Sequence, residues 1–261
     1  MFKRKRLIIW VAAAATLVFS VVFVKQRYML PIVMYHSVAP EVAKGNLLTV
    51  SADTFDKQMS FLKRHRYNVI RLESIKDYIL GKKKIPGRTI AITFDDGYKD
   101  NYTYAFPILK KFNLPATIFI IVSEVGRPDR LSWEQIKEMR DSGLITFGSH
   151  TLTHPFLNSL KSAKDLKKEI YGSKIALEEK LGRPVEIFAY PSGRFNAEVI
   201  QEVKEAGYQV AVVTNPGRKI PDNNVLALKR LRLSENSRSM FIFWFETTGY
   251  YNFIRETRQH K

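Results

Sequence analysis

Two adjacent carboxylates are the first residues of this sequence whose types and spacing suit chemistry. Asp95 and Asp96 end a largely apolar run, TIAITFDDG, at residues 89–97. The short, β-branched centre of this run predicts a buried strand. Such a strand delivers both carboxylates to its carboxyl end, where sheet and barrel enzymes place their active sites. The competing interpretation is a simple turn, because Asp-Asp-Gly is favourable turn chemistry.

Two imidazoles, those of His150 and His154, lie four residues apart just after another predicted strand. Imidazoles at this spacing converge on one ion if the segment forms a helical turn or a tight loop. The chain has five histidines, and these two and His36 fall at or just beyond predicted strand ends. Converging strand ends would bring two imidazoles and one carboxylate together, a donor set that suits a catalytic Zn²⁺ or another divalent metal.

The elements that must position these residues alternate between strand and helix. This alternation implies a parallel sheet with crossover helices. The number of units favours an α/β fold, a distorted or incomplete (β/α) barrel, over an open doubly wound sheet. Pro107 should kink or divide the third helix. The predicted strands are 31–36, 69–70, 89–94, 115–122, 144–149, 185–190, 208–214 and 226–233, and the predicted helices are 54–66, 73–80, 101–112, 132–142, 160–181 and 196–206.

The amino terminus predicts a membrane segment. An apolar run at residues 7–24 follows four basic residues and would cover about 27 Å as a helix, just enough to span a bilayer core. The basic residues favour a cytoplasmic amino terminus. We expect an uncleaved signal anchor within residues 1–30 and a single domain at residues 31–261 outside the cytoplasm, at the cell membrane. The alternative is a cleaved signal peptide and a secreted protein.

The composition of the chain limits the kinds of partner that it could bind. The chain has 261 residues, no cysteine and a formal net charge of +17, so disulfides and thiolate metal sites are excluded. No alternation of aromatic and basic residues suggests nucleic-acid recognition. For an exported protein the basic surplus predicts anionic wall polymers or lipid headgroups as partners. The other interpretation is a solvated basic surface with no specific partner.

The motifs resemble those of the polysaccharide deacetylases of carbohydrate esterase family 4, over roughly residues 31–235. TFDDG at 93–97 is similar to the first motif of that family and HTLTH at 150–154 to the second, while residues 190–193 resemble the third in a departing form. The resemblance implies that Asp95 is the general base, that the backbone N–H at Ser192 stabilises the oxyanion, and that Thr151 orients the metal loop. It implies a divalent metal, Zn²⁺ foremost, with Asp96, His150 and His154 as ligands.

Two departures from the family pattern need compensation. The usual third-motif arginine is Ala189 here, and the usual late Leu-x-His, the source of the general acid, has become Leu231-Arg232-Leu233. The chain is similar to a branch of exported poly-N-acetylglucosamine and peptidoglycan deacetylases in which an amino-terminal strand supplies the acid, and this similarity makes His36 the candidate. A packed core histidine is the alternative. Arg230 is the candidate to replace the missing arginine.

The sequence also suggests roles for three further residues and one segment. Tyr190 and Pro191 belong to the third motif and are expected to support the site or contact substrate. Trp133 either stacks on a sugar ring or packs in the core. The aromatic run at residues 240–245 predicts a terminal helix that packs on the barrel or contacts a membrane surface.

The sequence therefore predicts a metal-dependent N-deacetylase of an N-acetylated hexosamine polymer outside the cytoplasm, either peptidoglycan or poly-N-acetylglucosamine. Two alternatives stay open. In the first, the chain is a catalytically weak or inactive wall-polymer binding or scaffold protein on the same fold. In the second, it is an O-deacetylase of an acetylated polysaccharide.

Overall fold

The computed structural model describes residues 28–214 and 224–251, together with Trp10, Thr16, Leu17 and Phe19. Among these residues no helix is both long and apolar enough to cross a bilayer. The predicted membrane segment, residues 7–24, lies outside the described residues except for those four positions. The aromatic run at residues 240–245 and all the motif residues lie within them.

The fold is organised around one sheet whose described strands all run parallel. The strands are β1 (Ile32–Tyr35), β2 (Ser37–Ala39), β3 (Thr49–Ser51), β4 (Asn68–Ile70), β5 (Thr89–Phe94), β6 (Ala116–Ile120), β7 (Ile145–Ser149), β8 (Ile187–Ala189), β9 (Val210–Val213), β10 (Leu228–Lys229) and β11 (Leu231–Arg232). The strand order of the sheet is β10-β9-β8-β7-β6-β5-β1-β11, and β4 pairs with the first half of β5. Strands β2 and β3 form a separate parallel pair.

The sheet nearly closes on itself through the last two strands. The structure replaces the single strand predicted at 226–233 by β10 and β11, with Arg230 between them. Strand β10 pairs with β9, whereas β11 pairs with β1, so this segment joins the two edges of the sheet. The first and last strands are therefore neighbours. The predicted parallel barrel-like α/β fold is confirmed.

Helices connect most of the parallel strands. They are α1 (Ala52–Arg64), α2 (Ile75–Ile79), α3 (Phe106–Phe112), α4 (Trp133–Asp141), α5 (Ala163–Leu181), α6 (Ala197–Glu205) and α7 (Met240–Glu246). The helix predicted at 101–112 is divided as Pro107 suggested: a π-helical turn, Asn101–Ala105, precedes α3, and Pro107 lies in the first turn of α3. Helix α5 begins later than predicted because the Ser162 side chain caps it by accepting the Asp165 N–H.

Alternating side chains on each strand separate an inner from an outer core. Inward residues such as Ile32, Ala91, Phe119 and Val210 form one buried apolar cluster, and the outward residues pack against the helices in a second. The barrel interior is therefore filled. Polar chemistry is left to the carboxyl end of the strands, above the ring of Phe119.

Candidate active site

The carboxyl ends of the parallel strands deliver the predicted site residues to one cavity. His36 follows β1, Asp95 follows β5 and His150 follows β7 directly. Because all three strands run in the same direction, these side chains meet at one edge of the sheet. The cavity has a volume of about 310 Å³, and the residues that line it are Met34, His36, Leu48, Asp95, Asp96, His150, His154, Ser192, Thr214 and Arg232.

Three of these side chains form a cluster that could hold a metal ion. One ligand atom each from Asp96, His150 and His154 lies within 4.8 Å of the others. The Asp96 Oδ1 atom is 3.5 Å from His150 Nε2 and 3.8 Å from His154 Nε2. His150 Nδ1 lies 2.8 Å from the Ala189 carbonyl oxygen, to which it donates a hydrogen bond. This bond leaves the Nε2 lone pair of His150 directed at the cluster.

The loop that carries both histidines is a tight turn, which settles the alternative that the sequence left open. Thr151 and His154 have φ angles of 68° and 63°, unusual for residues with side chains. The Thr151 hydroxyl accepts the His154 N–H at 2.9 Å, and the Glu169 carboxylate accepts the Thr153 N–H and hydroxyl. Asp96 also has a positive φ, 68°. Each such conformation costs about 1–3 kcal/mol, so the surrounding contacts must hold the loop in place.

A buried ion pair fixes Asp95. Arg230 is completely buried, and its Nη1 and Nη2 atoms donate to Asp95 Oδ1 and Oδ2, both at 2.7 Å. The guanidinium also donates to the Val213 carbonyl and to the Thr93 hydroxyl. It lies 5.5 Å from the centre of the Phe119 ring. The break between β10 and β11 thus supplies a bidentate arginine to the carboxylate beside the metal cluster.

Electrostatics distinguish the two aspartates. Burial alone would raise the pKa of Asp95, but the charge and hydrogen bonds of the Arg230 guanidinium, together with the nearby His150 and His36 imidazoles, hold this pKa well below its usual range. Burial and the neighbouring Asp95 charge raise the pKa of Asp96. Burial lowers the pKa of His150 to about 4. Asp95 is therefore ionised at neutral pH, and the His150 imidazole is neutral, the form that binds a metal.

His36 lines the same cavity as His150 and His154. Burial lowers its pKa, while the nearby Asp95 and Asp96 charges oppose that shift. The Asn101 side chain donates through Nδ2 to the His36 carbonyl at 2.8 Å and to Asp100 Oδ1 at 2.9 Å. Within the described residues His36 Nδ1 is buried and has no hydrogen-bond partner. The imidazole also lines the cavity, so the ring borders the space that a substrate would enter.

The third motif contributes a turn rather than a side-chain cluster. Ser192 lines the cavity with a φ of 53°, between Pro191 and Gly193. A Cβ atom at Gly193 would come within 2.9 Å of the Thr214 backbone nitrogen, so only glycine permits this approach. Pro191 is buried in the same turn. Tyr190 is completely buried and its hydroxyl donates to the Leu226 carbonyl at 2.8 Å, so it supports the turn from below.

Trp133 does not line this cavity. It begins α4 and packs, half-buried, against the core. The Lys180 Nζ atom lies 5.8 Å from the centre of its ring. The capping box between Ser132 and Gln135 that the sequence contains fixes the start of α4, and with it the position of Trp133.

Sequence reasoning missed other residues near the site. Leu48 and Thr214 line the cavity, and Asn101 holds the backbone at His36. Leu48 precedes β3, a short strand that the sequence pattern did not indicate. Asn101 lies four residues after Gly97, and the only available sign was its proximity to the carboxylate motif. Arg232 was noted only as the middle residue of Leu231-Arg232-Leu233, the segment that lacks the late histidine, yet it also lines the cavity.

The donor set fits a divalent metal. Two imidazole nitrogens and one carboxylate oxygen, with solvent-accessible space beside them, match a catalytic zinc site better than the all-oxygen sites of Ca²⁺ or Mg²⁺. His150 donates its Nδ1–H to the Ala189 carbonyl, and a backbone carbonyl is one of the usual partners of a metal-binding histidine. An α/β barrel with this donor set beside a buried carboxylate is suited to metal-assisted hydrolysis.

Comparison with known proteins identifies the family. Residues 82–211 match the family model described as polysaccharide deacetylase. The chain is 37% identical over 205 residues to YxkH of Bacillus subtilis, a protein named as a polysaccharide deacetylase; the match covers 78% of this chain and 71% of YxkH. It is 30% identical over 201 residues to the poly-beta-1,6-N-acetyl-D-glucosamine N-deacetylase of Staphylococcus aureus, with 72% and 69% covered. The chain belongs to the polysaccharide deacetylase family.

Solved structures agree with this assignment. The deacetylase PplD of Streptococcus pyogenes, solved in complex with acetate, superposes with a TM-score of 0.74 at 32% identity, over 80% of this chain and 93% of that one. IcaB of Ammonifex degensii superposes with a TM-score of 0.73 at 27% identity, over 84% and 97%. The family resemblance and the enzyme class predicted from the two motifs are thereby confirmed.

Proposed function

We propose that this chain is a metal-dependent deacetylase that removes N-acetyl groups from an N-acetylhexosamine polymer outside the cytoplasm. The observation that carries the proposal is the arrangement of one cavity. The possible ligands Asp96, His150 and His154 lie beside Asp95, and His36 faces the same space. An acetamide in this cavity would meet a metal site, a base and an acid together.

Asp95 is the proposed general base. The Arg230 pair keeps its carboxylate ionised and fixed in orientation, while each oxygen retains a lone pair that can accept a proton from water. A divalent cation held by Asp96, His150 and His154, Zn²⁺ being the best fit, supplies Lewis acidity for the attacking water and for the acetamide carbonyl. A low pKa makes Asp95 a weak base, so this arrangement requires water of unusually high acidity.

His36 is the proposed general acid. The departing sugar amine must gain a proton, and Leu233, at the position of the usual late histidine, has no ionisable side chain to supply one. His36 lies at the end of β1, between β5 and β11, where that late histidine would otherwise reach. The proposed donor to the oxyanion of the tetrahedral intermediate is the backbone N–H at Ser192, which lies in the turn that lines the cavity.

The substrate class rests on the relatives and on the sequence. A Staphylococcus aureus relative is named for poly-beta-1,6-N-acetyl-D-glucosamine, and we propose that polymer or peptidoglycan as the substrate here. The predicted membrane anchor would hold the domain outside the cytoplasm, where both polymers occur. The net charge of +17 would favour contact with anionic wall polymers.

The test is acetate release by the purified full-length protein in detergent. The substrates are poly-N-acetylglucosamine oligomers, peptidoglycan and an O-acetylated xylan, each with and without chelator and with Zn²⁺ restored. We expect acetate from an N-acetylated polymer that chelator stops and Zn²⁺ restores. The matched control is Asp95→Asn, which should bind metal but release no acetate. Release from the O-acetylated polymer alone, or folded metal-loaded protein that releases none, would overturn the proposal in favour of an O-deacetylase or a scaffold, respectively.

A further inference from the structure

One face of helix α7 is apolar and exposed. Phe243 is completely buried against Phe61 of α1, with ring centres 5.8 Å apart. On the other side Phe241, Ile242 and Trp244 are 71%, 41% and 44% exposed. We call these three residues the aromatic face. The rings of Phe241 and Trp244 lie 5.7 Å apart, so the exposed apolar surface is continuous. Exposed patches of this kind mark interaction surfaces.

The described amino-terminal end of the domain lies beside this face. The Met29 N–H donates to the Gly249 carbonyl at 2.9 Å. The Tyr28 ring packs edge-on against Tyr250 with ring centres 5.7 Å apart. Tyr28 and Trp244 line one cleft of about 380 Å³, together with Tyr67, Arg88, Thr247, Thr248 and Tyr250. The polypeptide that leads to the predicted membrane segment therefore starts at the edge of the aromatic face.

The short stretch of chain between residue 24 and Tyr28 limits how far the aromatic face can lie from the predicted membrane segment. The apolar run ends at residue 24, and four residues of extended chain span at most about 14 Å. If residues 7–24 cross a bilayer, Tyr28 lies within the headgroup region or next to it. Tyrosine and tryptophan favour this region because their rings are amphipathic.

Basic side chains flank the aromatic face on both sides. Arg88 lines the cleft with Trp244, and Lys44 and Arg238 line a groove of about 590 Å³ with Ile242. The acidic side chain in that groove, Glu235, is engaged with Ser51 and Thr54. Basic side chains near the surface of an anionic bilayer are attracted to its headgroups.

We propose that the aromatic face and its flanking basic residues rest on the surface of an anionic phospholipid bilayer. This second contact would add to the predicted anchor and fix the orientation of the domain. Leu47 lines the groove beside Ile242, and its neighbour Leu48 lines the catalytic cavity. The catalytic cavity would therefore open next to the groove at one end of the aromatic face. The proposal rests on the predicted membrane segment and on none of the catalytic assignments.

Single-tryptophan variants of the full-length protein test this contact. The chain has three tryptophans, so Trp10→Phe/Trp133→Phe leaves only Trp244, and Trp133→Phe/Trp244→Phe leaves only Trp10. Each variant is reconstituted into vesicles of phosphatidylglycerol and phosphatidylcholine, with and without bromine-labelled acyl chains. We expect brominated lipid to quench Trp244 strongly, and vesicles without phosphatidylglycerol to weaken that quenching. Trp10, within the apolar run, reports whether the anchor is inserted.

Quenched Trp10 with unquenched Trp244 would overturn the proposal, because the anchor would then be inserted without the second contact. If neither tryptophan is quenched, the proposal also fails. Shielding of Trp244 from acrylamide without quenching by lipid would assign the face to protein, either another segment or a second copy. As a folding control, Phe241→Ser in the Trp244-only protein should weaken the lipid quenching and leave acetate release from soluble oligomers unchanged.

Discussion

The two sides of the cavity are assembled in different ways. On one side, which we call the ligand side, the possible metal ligands Asp96, His150 and His154 come from two short motifs. Strained local backbone at Asp96, Thr151 and His154 directs these side chains. The proton-transfer side joins His36 and Arg230, residues almost two hundred positions apart, through the pairing of β1 with β5 and β11. Local motifs therefore determine the geometry of the ligands, whereas closure of the barrel determines the positions of the proposed base and acid.

This difference implies that the two sides fail separately. Damage to the ligand side should remove metal and activity together, because each ligand provides a third of the protein donors. Damage to the proton-transfer side should lower the rate or the stability while the metal stays bound. The four predictions below test this separation.

The largest effect is expected from Asp96→Ala. Loss of the carboxylate leaves two imidazoles, too few for a stable catalytic metal site. We expect metal content and acetate release both to fall to background, with folding preserved in the circular dichroism spectrum. Asp95→Asn is the matched control and should keep the metal. If Asp96→Ala retains stoichiometric metal, the ligand side has been assigned wrongly.

Arg230→Met should have the next largest effect, and on stability. Breaking a buried ion pair leaves an unpaired charge and costs about 3–5 kcal/mol. The Asp95 pKa lies below its usual value of 3.8 in the folded protein, so the pair contributes stability above that pH and loses it as pH falls further. Without Arg230, burial raises the Asp95 pKa, and the variant should instead gain stability as its carboxyl group is protonated.

Urea unfolding at neutral and at acidic pH measures this reversal. The difference in free energy of unfolding between wild type and Arg230→Met should be largest at neutral pH and shrink in acid. A difference independent of pH would mean that Arg230 stabilises the barrel by packing alone. The double variant with Asp95→Asn should recover part of the lost stability, because no charge is then buried without a partner.

His36→Ala should lower the rate without loss of metal. Removal of a general acid typically costs a factor of about 10²–10⁴ in rate. Metal analysis and kcat on the same preparation separate this outcome from damage to the ligand side. His65→Ala is the matched control, because His65 is exposed and its Nδ1 bonds only the Phe61 carbonyl. Full activity of His36→Ala would show that the proton comes from another group.

The same division between local motifs and long-range contacts separates what could be predicted from the sequence from what could not. The two carboxylates, the two imidazoles and the alternation of strands and helices were predictable, because each depends on residues close in the chain. The sequence offered Arg230 only as a candidate. Its bond to Asp95 requires the strand at 226–233 to break into β10 and β11 and to join both edges of the sheet. Two charged residues, Lys229 and Arg230, interrupt the apolar alternation at the break, but nothing local indicates that the two halves pair with opposite edges of the sheet.

Long-range contacts also explain what sequence reasoning missed. The left-handed backbone at Thr151 is disfavoured for a β-branched residue, and only its packed surroundings impose it. Trp133 has a side chain suited to sugar stacking, yet the capped start of α4 holds it away from the cavity. Asn101 carries no motif of its own, and its contact with the His36 backbone depends on the pairing of β1 with β5.

Asn101→Ala should give the smallest effect, and it tests most directly whether a residue acts on the proton-transfer side alone. It removes the donor to the His36 carbonyl and should disorient the imidazole, for a loss of up to about tenfold in kcat, equivalent to about 1.4 kcal/mol. Metal content should not change. Thr103→Ala, exposed on the same π-helical turn, is the control. In the His36→Ala background Asn101→Ala should have no further effect on kcat, because its target is gone. An equal further loss would place Asn101 outside the proton-transfer side of the cavity and leave His36 positioned by the strand alone.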